Sequence, residues 1–377
     1  MNLGLTVRAP GRVNLIGEHT DYNDGLVLPA AIDLGITIDL VPRDDRLVRL
    51  ELVADGDVGQ LDLDAIGAPT GGWLDYVAGV ALELSQAGLP IGGFDGRLSA
   101  TLPASAGLSS SAALELAAAW ALLAAAEGFT PNAVERLALA RLCQRAENDY
   151  VGVRTGLMDQ FAASCGEAGC ALLLDCRSLD YRPVILPRGL QLVVVETGAK
   201  RRLAASEYNQ RRSECERGVA VLRSRGEQVA SLRDATLVML DRAATDLGDV
   251  VYRRCRHVIE EHARTLAAVR ALESDDRAAL GALFAASHAS LRDLYEVSSP
   301  ALDAAVEIAT ATRGVVAARM TGGGFGGCTV NLVEPDAVDA LRGALEQDYV
   351  ARTGLTPKVH VVAAADGAGL VETTQLR

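Results

Sequence analysis

A run of small residues that leads into an alanine-rich stretch constrains this chain more than any other feature. Residues 105–111 read Ser-Ala-Gly-Leu-Ser-Ser-Ser, and the alanine-rich run 112–126 follows directly. Small residues let an anion approach the main chain, and a helix N-terminus offers free N–H groups and a positive dipole end. Serine hydroxyls can also ligate a hard cation such as Mg²⁺. A serine-rich N-cap on a core helix is the alternative, and this stretch alone does not decide between them.

Composition limits the class of protein and its partners. A chain of 377 residues with 49% hydrophobic residues favours two globular domains. The formal charge of −13 argues against nucleic acid or an anionic membrane as a partner. Seven cysteines without a CxxC pair indicate reduced thiols, and the histidine spacing does not suit zinc. The longest apolar run, 116–126, is too short for a membrane span, so we expect a cytoplasmic protein.

Periodicity predicts sheet and helix in both halves of the chain, which indicates an α+β protein. The predicted strands are 35–42, 47–53, 97–102, 171–175, 191–196, 315–320, 328–333 and 358–363. The predicted helices are 75–87, 111–127, 132–150, 205–225, 247–272, 275–294, 300–312 and 335–349. We expect the second and third of these helices to pack against the preceding sheet. The proline-containing stretch 183–187 is a predicted domain boundary.

A second glycine cluster lies late in the chain. Residues 321–327 read Thr-Gly-Gly-Gly-Phe-Gly-Gly, between two predicted strands. Glycine permits positive φ and close approach of another molecule to the main chain, so this density favours a loop that contacts a ligand. A hairpin with bulges is the alternative, although it needs only one or two glycines.

A third cluster combines charge with glycine near the N-terminus. Arg12, Glu18, His19 and Asp21 lie within ten residues among glycines. Carboxylates accept hydrogen bonds from paired hydroxyls, so this set is typical of a surface that binds a polyol. The neighbouring residues 23–25, Asn-Asp-Gly, are explained by a turn alone.

Two further acidic residues point to a buried site. Glu147 ends a predicted helix, and Asp159 lies among apolar neighbours. A buried carboxylate without a partner is costly, so Asp159 should pair with a cation, and Arg12 is the candidate. Surface polarity is the ordinary alternative for both residues.

Three ordered motifs, 10–25, 102–113 and 320–328, resemble the galactokinases of the GHMP small-molecule kinase family. Stretches 156–160, 174–178 and 208–215 match in the gap between the second and third motifs. The resemblance implies the two-domain α+β GHMP kinase fold, with an N-terminal domain similar to domain 2 of ribosomal protein S5. It implies an N-terminal domain 1–185, a C-terminal domain 186–354 and an active site in the cleft between them. The segment 355–377 is a candidate for completing the first domain.

The resemblance also implies a reaction: phosphorylation of the C1 hydroxyl of D-galactose by ATP with Mg²⁺, the first committed step of galactose metabolism (the Leloir pathway), in a monomeric enzyme. It implies that Asp159 is the catalytic carboxylate, that Arg12 stabilises charge, and that Ser111 and Glu147 bind Mg²⁺. The implied sugar contacts are Glu18, His19, Thr20, Asp21, Tyr208 and the backbone of Gly323. The implied nucleotide contacts are Ser105, Ala106, Gly107, Leu108, Ser109, Ser110, Ser111 and, near the adenine, Trp73.

The resemblance leaves some alternatives open. The family commonly has glycine where this chain has Ser105, so we expect altered nucleotide affinity at most. Asp159 could act as a true base or as a positioning group. An N-acetylgalactosamine kinase of the same family, a galactose sensor without catalysis, and an α+β protein without a ligand are the rival functions.

Overall fold

The computed structural model describes residues 4–103, 107–131, 135–199 and 204–374. The strands in these ranges are β1 (Gly4–Asn14), β2 (Leu26–Val27), β3 (Pro29–Pro42), β4 (Leu47–Leu52), β5 (Val58–Asp62), β6 (Phe94–Ala100), β7 (Cys170–Asp175), β8 (Tyr181–Ile185), β9 (Gln191–Glu196), β10 (Val315–Thr321), β11 (Cys328–Val333), β12 (Lys358–Val362) and β13 (Gly369–Thr374).

The α-helices in the same ranges are α1 (Leu74–Gln86), α2 (Ser110–Ala124), α3 (Arg136–Arg145), α4 (Met158–Cys165), α5 (Ala204–Ser224), α6 (Leu237–Arg242), α7 (Ala244–Glu273), α8 (Arg277–Asp293), α9 (Pro300–Ala311), α10 (Val338–Ala344) and α11 (Val350–Thr353). None of the described helices is both long enough and apolar enough to cross a membrane.

The first sheet has six strands in the order β13-β1-β3-β6-β4-β5. Neighbouring strands are antiparallel except β4 and β6, which are parallel. Val7 and Ala9 face inward from alternate positions of β1, and they and Val13 are fully buried. The alanine-rich helix α2 packs on β1 and β3 and is surrounded by α1, α3 and α4. Small alanine side chains let this helix lie close to the sheet, so its N-terminus is held next to the end of β1.

The second sheet has four antiparallel strands in the order β10-β11-β9-β12. Helices α8 and α9 pack on β10, and the long helix α7 contacts both α5 and α8. A small third sheet has the order β2-β7-β8, and it combines a short strand between β1 and β3 with the hairpin that precedes β9. The fold is therefore α+β with two sheet-and-helix layers, as predicted. The C-terminal segment contributes β12 to the second sheet and β13 to the first.

Most predicted elements are present with ends shifted by a few residues, and the predicted strands 191–196 and 328–333 coincide with β9 and β11. The structure corrects the prediction in the first motif, where β1 continues through Pro10 to Asn14. The pairing register with β3 shifts between Pro10 and Arg12. Such a bulge interrupts the alternating pattern, which is why the sequence did not reveal this strand.

The predicted helix 132–150 is also corrected. Residues 132–134 lie outside the described ranges, and α3 begins at Arg136 because the side chain of Glu135 accepts hydrogen bonds from the N–H groups of Leu137 and Ala138. The α-helix ends at Arg145 and continues as a π-helical turn, Ala146–Val151. Helix α3 packs mainly on its neighbouring helices, whereas α2 contacts the sheet as predicted.

Two other stretches differ from the prediction. The predicted boundary 183–187 overlaps β8, where Pro183 is tolerated because β8 is an edge strand. The predicted helix 335–349 is divided into a 3-10 turn (Pro335–Ala337), α10 and a π-helical segment (Leu345–Tyr349). The division of the chain into domains at these positions stays a prediction.

The two large sheets are joined at the end of β1. The N–H of Asn14 donates to Thr321 Oγ1 at 2.9 Å, and Arg319 donates to the carbonyl of Leu15 at 2.7 Å. The N–H of Gly17 donates to Glu261 Oε1 at 3.1 Å. The turn that follows β1 therefore lies between the two halves of the molecule, and the cluster 12–21 belongs to that junction.

Candidate active site

Arg12 and Asp159 form the centre of the site. Arg12 lies on β1, and Asp159 lies in the first turn of α4, where the helix dipole favours a carboxylate. Nε and Nη2 of Arg12 donate to the two carboxylate oxygens of Asp159 at 2.7 and 2.6 Å. This two-pronged geometry fixes both side chains. The predicted pairing is confirmed, although the catalytic role of each residue stays a prediction.

The small-residue loop, residues 105–111, forms hydrogen bonds with the Arg12–Asp159 pair. Ser105 and Ala106 lie outside the described residues, but the carbonyl of Gly107 accepts a hydrogen bond from Arg12 Nη1 at 2.9 Å. The carbonyl of Leu108 accepts one from the N–H of Arg12 at 3.1 Å. The hydroxyl of Ser109 donates to Asp159 Oδ2 at 2.5 Å. The loop and the ion pair are therefore one unit.

The N–H groups at the N-terminus of α2 receive no side-chain cap from Ser109. Ser109 occupies the N-cap position with φ +60°, and its side chain makes no capping hydrogen bond to the first turn. Its hydroxyl is directed to Asp159 instead. The serine-cap alternative therefore fails at this described residue, whereas N–H groups at the start of a helix without a side-chain cap suit an anion.

Ser111 and Glu147 meet on one side of this loop. Glu147 lies in the π-helical turn after α3 and is almost fully buried. Its Oε2 accepts hydrogen bonds from Thr155 Oγ1 at 2.6 Å and Gln160 Nε2 at 2.8 Å. Ser111 lies close enough to the same carboxyl group to interact with it electrostatically. Burial raises the pKa of Glu147. Within the described ranges no group of three or more His, Cys, Asp or Glu side chains could hold a metal ion.

A cavity opens on the exposed side of Asp159, whose side chain keeps 23% of its accessible surface. It encloses about 380 Å³ including its open mouth. The residues that line it are Arg12, Glu18, His19, Asp21, Thr155, Gly156, Met158, Asp159, Tyr208, Gly322 and Gly323. Seven of these were predicted as site residues. Gly322 belongs to the cluster 321–327 that was predicted to contact a ligand, and Gly156 and Met158 belong to the matching stretch 156–160, although none of them was named as a site residue. Thr155 was not singled out by the sequence.

Glu18 is held by a cation that the sequence analysis missed. It forms a fully buried ion pair with Arg319, and its Oε1 accepts a hydrogen bond from the N–H of Gly322 at 3.1 Å. Arg319 is the single charged residue in the otherwise apolar or small strand β10, which is the signal that could have revealed it. Glu18 therefore connects the N-terminal charged cluster, which comprises Arg12, Glu18, His19 and Asp21, to the glycine cluster 321–327.

His19 lies in a group of aromatic rings. Its backbone has φ +64°, and its Nδ1 is 2.9 Å from Tyr22 Oη. Its ring centroid is 5.5 Å from that of Tyr208 and 4.6 Å from that of Tyr295. Tyr22 and Tyr295 hydrogen-bond each other at 2.7 Å. The rings fix the imidazole at the cavity wall, and Tyr22 and Tyr295 were not predicted.

Asp21 faces Asp159 across the cavity. Burial, followed by the charge of Asp159, raises the pKa of Asp21 from 3.8 to about 7. A Cβ built on Gly156 would lie only 1.9 Å from Asp21 Oδ2. The Asp21 carboxyl group therefore occupies the space that any side chain at position 156 would fill.

Thr20 lies behind the residues that line the cavity, and a sugar contact of Thr20 stays a prediction. It is fully buried and does not line the cavity, because its hydroxyl is within 2.8 Å of the Gly17 carbonyl and 2.7 Å of the Leu26 carbonyl. The hydroxyl braces the turn between β1 and β2. Thr20 therefore stabilises the turn that carries Glu18, His19 and Asp21.

The late glycine cluster has two roles. Gly322 and Gly323 line the cavity, and a Cβ on Gly322 would lie 2.9 Å from the carbonyl of Gly107 in the small-residue loop. Gly324 instead packs on protein, since a Cβ there would lie 2.2 Å from the carbonyl of Val297. The ligand-facing interpretation applies to the first part of the cluster, and close packing within the chain explains Gly324.

Trp73 lies apart from the cavity. It precedes α1, packs against Gly59 of β5, and its Nε1 donates to Asp57 Oδ2 at 2.8 Å. A contact between Trp73 and an adenine stays a prediction.

Three family models match the chain. The galactokinase galactose-binding signature matches residues 3–40, the N-terminal domain of GHMP kinases matches 75–167, and the C-terminal region of GHMP kinases matches 268–351. A galactokinase of Chloroflexus aggregans is 45% identical over 374 residues, which cover 98% of this chain and 94% of the relative. A galactokinase of Roseiflexus sp. is 45% identical over 372 residues, covering 97% and 93%.

Solved structures agree with these relatives. The galactokinase of Lactococcus lactis, solved in complex with galactose, superposes with a TM-score of 0.91 at 38% identity and covers 98% of this chain and 95% of its own. The mevalonate kinase of Methanococcus jannaschii superposes with a TM-score of 0.69 at 19% identity, covering 96% and 98%, and shares the fold alone. The chain belongs to the galactokinase family of the GHMP kinases.

Proposed function

We propose that this chain transfers the terminal phosphoryl group of ATP to the C1 hydroxyl of α-D-galactose. The products are galactose 1-phosphate, ADP and a proton. The observation that carries the proposal is the Arg12–Asp159 pair, which connects the uncapped N-terminus of α2 to a cavity lined by further carboxylates. Use of ATP follows from membership of the family, whereas the identity of the sugar is specific to this proposal.

The cavity lining supports a sugar ligand. Asp21 and Glu18 present carboxyl groups, His19 and Tyr208 present rings with polar atoms, and Gly323 presents its main chain. Carboxylates accept hydrogen bonds from hydroxyl groups, and aromatic rings pack on the apolar face of a sugar. We propose that Asp21 binds sugar hydroxyls directly. Glu18, which is already paired with Arg319, orients the main chain of Gly322 beside them.

The donor set beside the small-residue loop fits Mg²⁺. Ser111 and Glu147 supply hard oxygen atoms, and Mg²⁺ is usually bound by one or two carboxylates together with substrate phosphates. The absence of a larger cluster of ligands among the described residues agrees with that mode of binding. Mg²⁺ held there would neutralise charge on the phosphate oxygens of ATP. Gly107, Leu108 and the start of α2 would contact those phosphates through their main chain, as would the residues 105 and 106 before them.

Arg12 and Asp159 would act on the transferred group. Asp159 accepts a hydrogen bond from the C1 hydroxyl and orients its oxygen towards the terminal phosphorus. The new O–P bond forms as the bond to ADP breaks, and the hydroxyl proton passes to Asp159. Phosphoryl transfer has a loose transition state that needs mainly positioning and charge neutralisation, so the proton can leave late. Arg12, which donates to both Asp159 and the Gly107 carbonyl, would neutralise charge on the moving phosphoryl group.

The organisation around this site is also a proposal. We propose that segments 1–185 and 186–354 form two domains with the site between them, and that the first is completed by the C-terminal strand β13, which pairs with β1. A cytoplasmic monomer is proposed as well. The seven cysteines, all free thiols, support a reducing compartment.

A coupled assay of ADP release tests the proposed function. The full chain is incubated with ATP and Mg²⁺ and either galactose, glucose or N-acetylgalactosamine, and the product is identified by phosphorus NMR. We expect galactose to support turnover far better than the other two sugars, with the phosphate on C1. Preferred turnover of N-acetylgalactosamine would instead support the alternative kinase, and galactose binding without ADP release would support a sensor.

A further inference from the structure

Glu115 is a buried acidic residue that the proposed reaction does not use. It lies on the alanine-rich helix α2 and its side chain is fully buried. Gln160 Nε2 donates to Glu115 Oε2 at 2.9 Å and also to Glu147 Oε2 at 2.8 Å. One amide group therefore bridges two buried carboxyl groups on different helical segments.

The surroundings of Glu115 disfavour its charged form. Burial, followed by the nearby charge of Glu147, raises the pKa of Glu115 well above its ordinary value. Glu115 Oε1 and Gln160 Oε1 have no hydrogen-bond partner among the described residues. A polar side chain in such a place is costly, whereas leucine would pack there at no polar cost. A carboxyl group at this position needs an explanation beyond packing.

The explanation lies in the orientation of Gln160. Its amide has a donor end, the NH₂ group, and an acceptor end, the carbonyl oxygen. Only the donor end can form a hydrogen bond with the Glu147 carboxylate. If Gln160 turned over, its Oε1 would face the Glu147 carboxylate and repel it. The carboxyl group of Glu115 accepts the second N–H of Gln160 and so favours the donating orientation.

We propose that Glu115 is a positioning residue that acts through Gln160 to hold the Glu147 carboxylate where it binds the divalent cation. This inference rests on the proposed function, in which Ser111 and Glu147 hold Mg²⁺. Partners behind a metal ligand commonly control metal affinity in this way. Gln160 also follows Asp159 on α4, so the same contact steadies the first turn of that helix.

The test measures cation binding without sugar turnover. Mn²⁺ serves as the probe, and its free concentration is followed by electron paramagnetic resonance in the presence of ADP. We expect Glu115→Met, which keeps the volume but removes the acceptor, to raise the Mn²⁺ concentration at half-saturation about tenfold. Glu115→Gln keeps a carbonyl acceptor and should bind Mn²⁺ as the parent does.

Two controls separate positioning from general stability. Leu122→Ala removes another fully buried side chain of α2, and we expect it to lower the melting temperature without changing Mn²⁺ binding. Combining Glu115→Met with Gln160→Met should have no more effect than Gln160→Met alone, because both changes interrupt the same chain of contacts. If Glu115→Met does not fold, Glu115→Leu carries the same comparison.

The outcomes distinguish this inference from the proposed function. Parent-like Mn²⁺ binding in folded Glu115→Met or Glu115→Leu protein overturns the positioning role and leaves the proposed function intact. Weakened binding in Glu115→Met with recovery in Glu115→Gln supports it, even if the parent releases no ADP with galactose. A parent that binds no Mn²⁺ with ADP overturns the cation site and this inference together.

Discussion

Asp159 is fixed before any substrate arrives, because it receives two hydrogen bonds from Arg12 and one from Ser109. What remains available is the side of the carboxylate that faces the cavity, where 23% of the side chain is exposed. A group held in this way is suited to orienting a hydroxyl, since little rearrangement is needed at the moment of reaction. The sequence predicted the Arg12–Asp159 pair from the cost of a buried carboxylate. It did not predict the third donor, since a serine beside glycine has several ordinary uses.

Gly156 offers a test of how Asp21 is positioned. We expect Gly156→Ala to displace the Asp21 carboxyl group, because the added methyl group would lie 1.9 Å from its Oδ2. Loss of a hydrogen bond to a charged group should raise the KM for galactose by about tenfold to a hundredfold, with the KM for ATP unchanged. Gly343→Ala is the matched control, because its methyl group would enter open space. An unchanged KM for galactose in Gly156→Ala would contradict this placement of Asp21.

Galactose binding should depend on pH through Asp21. Its pKa is raised from 3.8 to about 7, so the carboxyl group is mainly neutral at pH 6 and mainly ionised at pH 8. The ionised form is the stronger acceptor for sugar hydroxyls. We therefore expect the Kd for galactose, measured by calorimetry, to fall about tenfold from pH 6 to pH 8. Asp21→Asn should bind weakly with a flat profile, and the same slope in this variant would assign the titration to another group.

At the scale of elements, the sequence predicted the helices and strands whose patterns are uninterrupted. The predicted strands 191–196 and 328–333 coincide with β9 and β11, because β9 contains the apolar run 192–195 and β11 alternates Thr329 and Asn331 with apolar residues. It missed β1 and β8, where prolines lie inside strands at a register shift and at a sheet edge. It also extended a helix through Tyr150, where the structure forms the π-helical turn that carries Glu147. Such turns have no local signature, and they occur frequently at functional sites.

Removing one partner of the buried ion pair at β10 should destabilise the junction strongly. Arg319→Met leaves Glu18 buried without its cation, so we expect the free energy of unfolding in urea to fall by about 3–5 kcal/mol. Arg352→Met breaks an Arg–Glu pair of the same kind at the surface, where both side chains are about half exposed. We expect that control to change stability by less than about 1 kcal/mol. Equal effects of the two substitutions would show that the buried pair contributes no more than a surface one.

At the scale of the whole molecule, the site exists only where the two sheets meet. Arg12 and Asp159 are 147 residues apart, and Asn14 and Thr321 are 307 apart. Motifs predicted many of the residues that line the cavity, because their chemistry is visible locally. The supporting residues Arg319, Tyr22 and Tyr295 act through such distant contacts, so their roles required the structure.

Galactose should stabilise both sides of this junction together. The cavity is lined by Glu18, His19 and Asp21 from one side and by Gly322 and Gly323 from the other. We expect galactose to slow hydrogen exchange at amides in 14–25 and in 320–327 with the same dependence on ligand concentration, because local opening of the junction exposes both. Protection of one segment alone would place the sugar elsewhere.

We propose that the cavity binds galactose and that Asp159 acts on its C1 hydroxyl. The most direct measurement compares Asp159→Asn with the parent for galactose affinity by calorimetry and for turnover by ADP release. We expect the Kd for galactose to stay within about threefold, since the other sugar contacts remain, and turnover to fall by about two to four orders of magnitude. Turnover close to that of the parent, with galactose still bound, would rule out this role of Asp159.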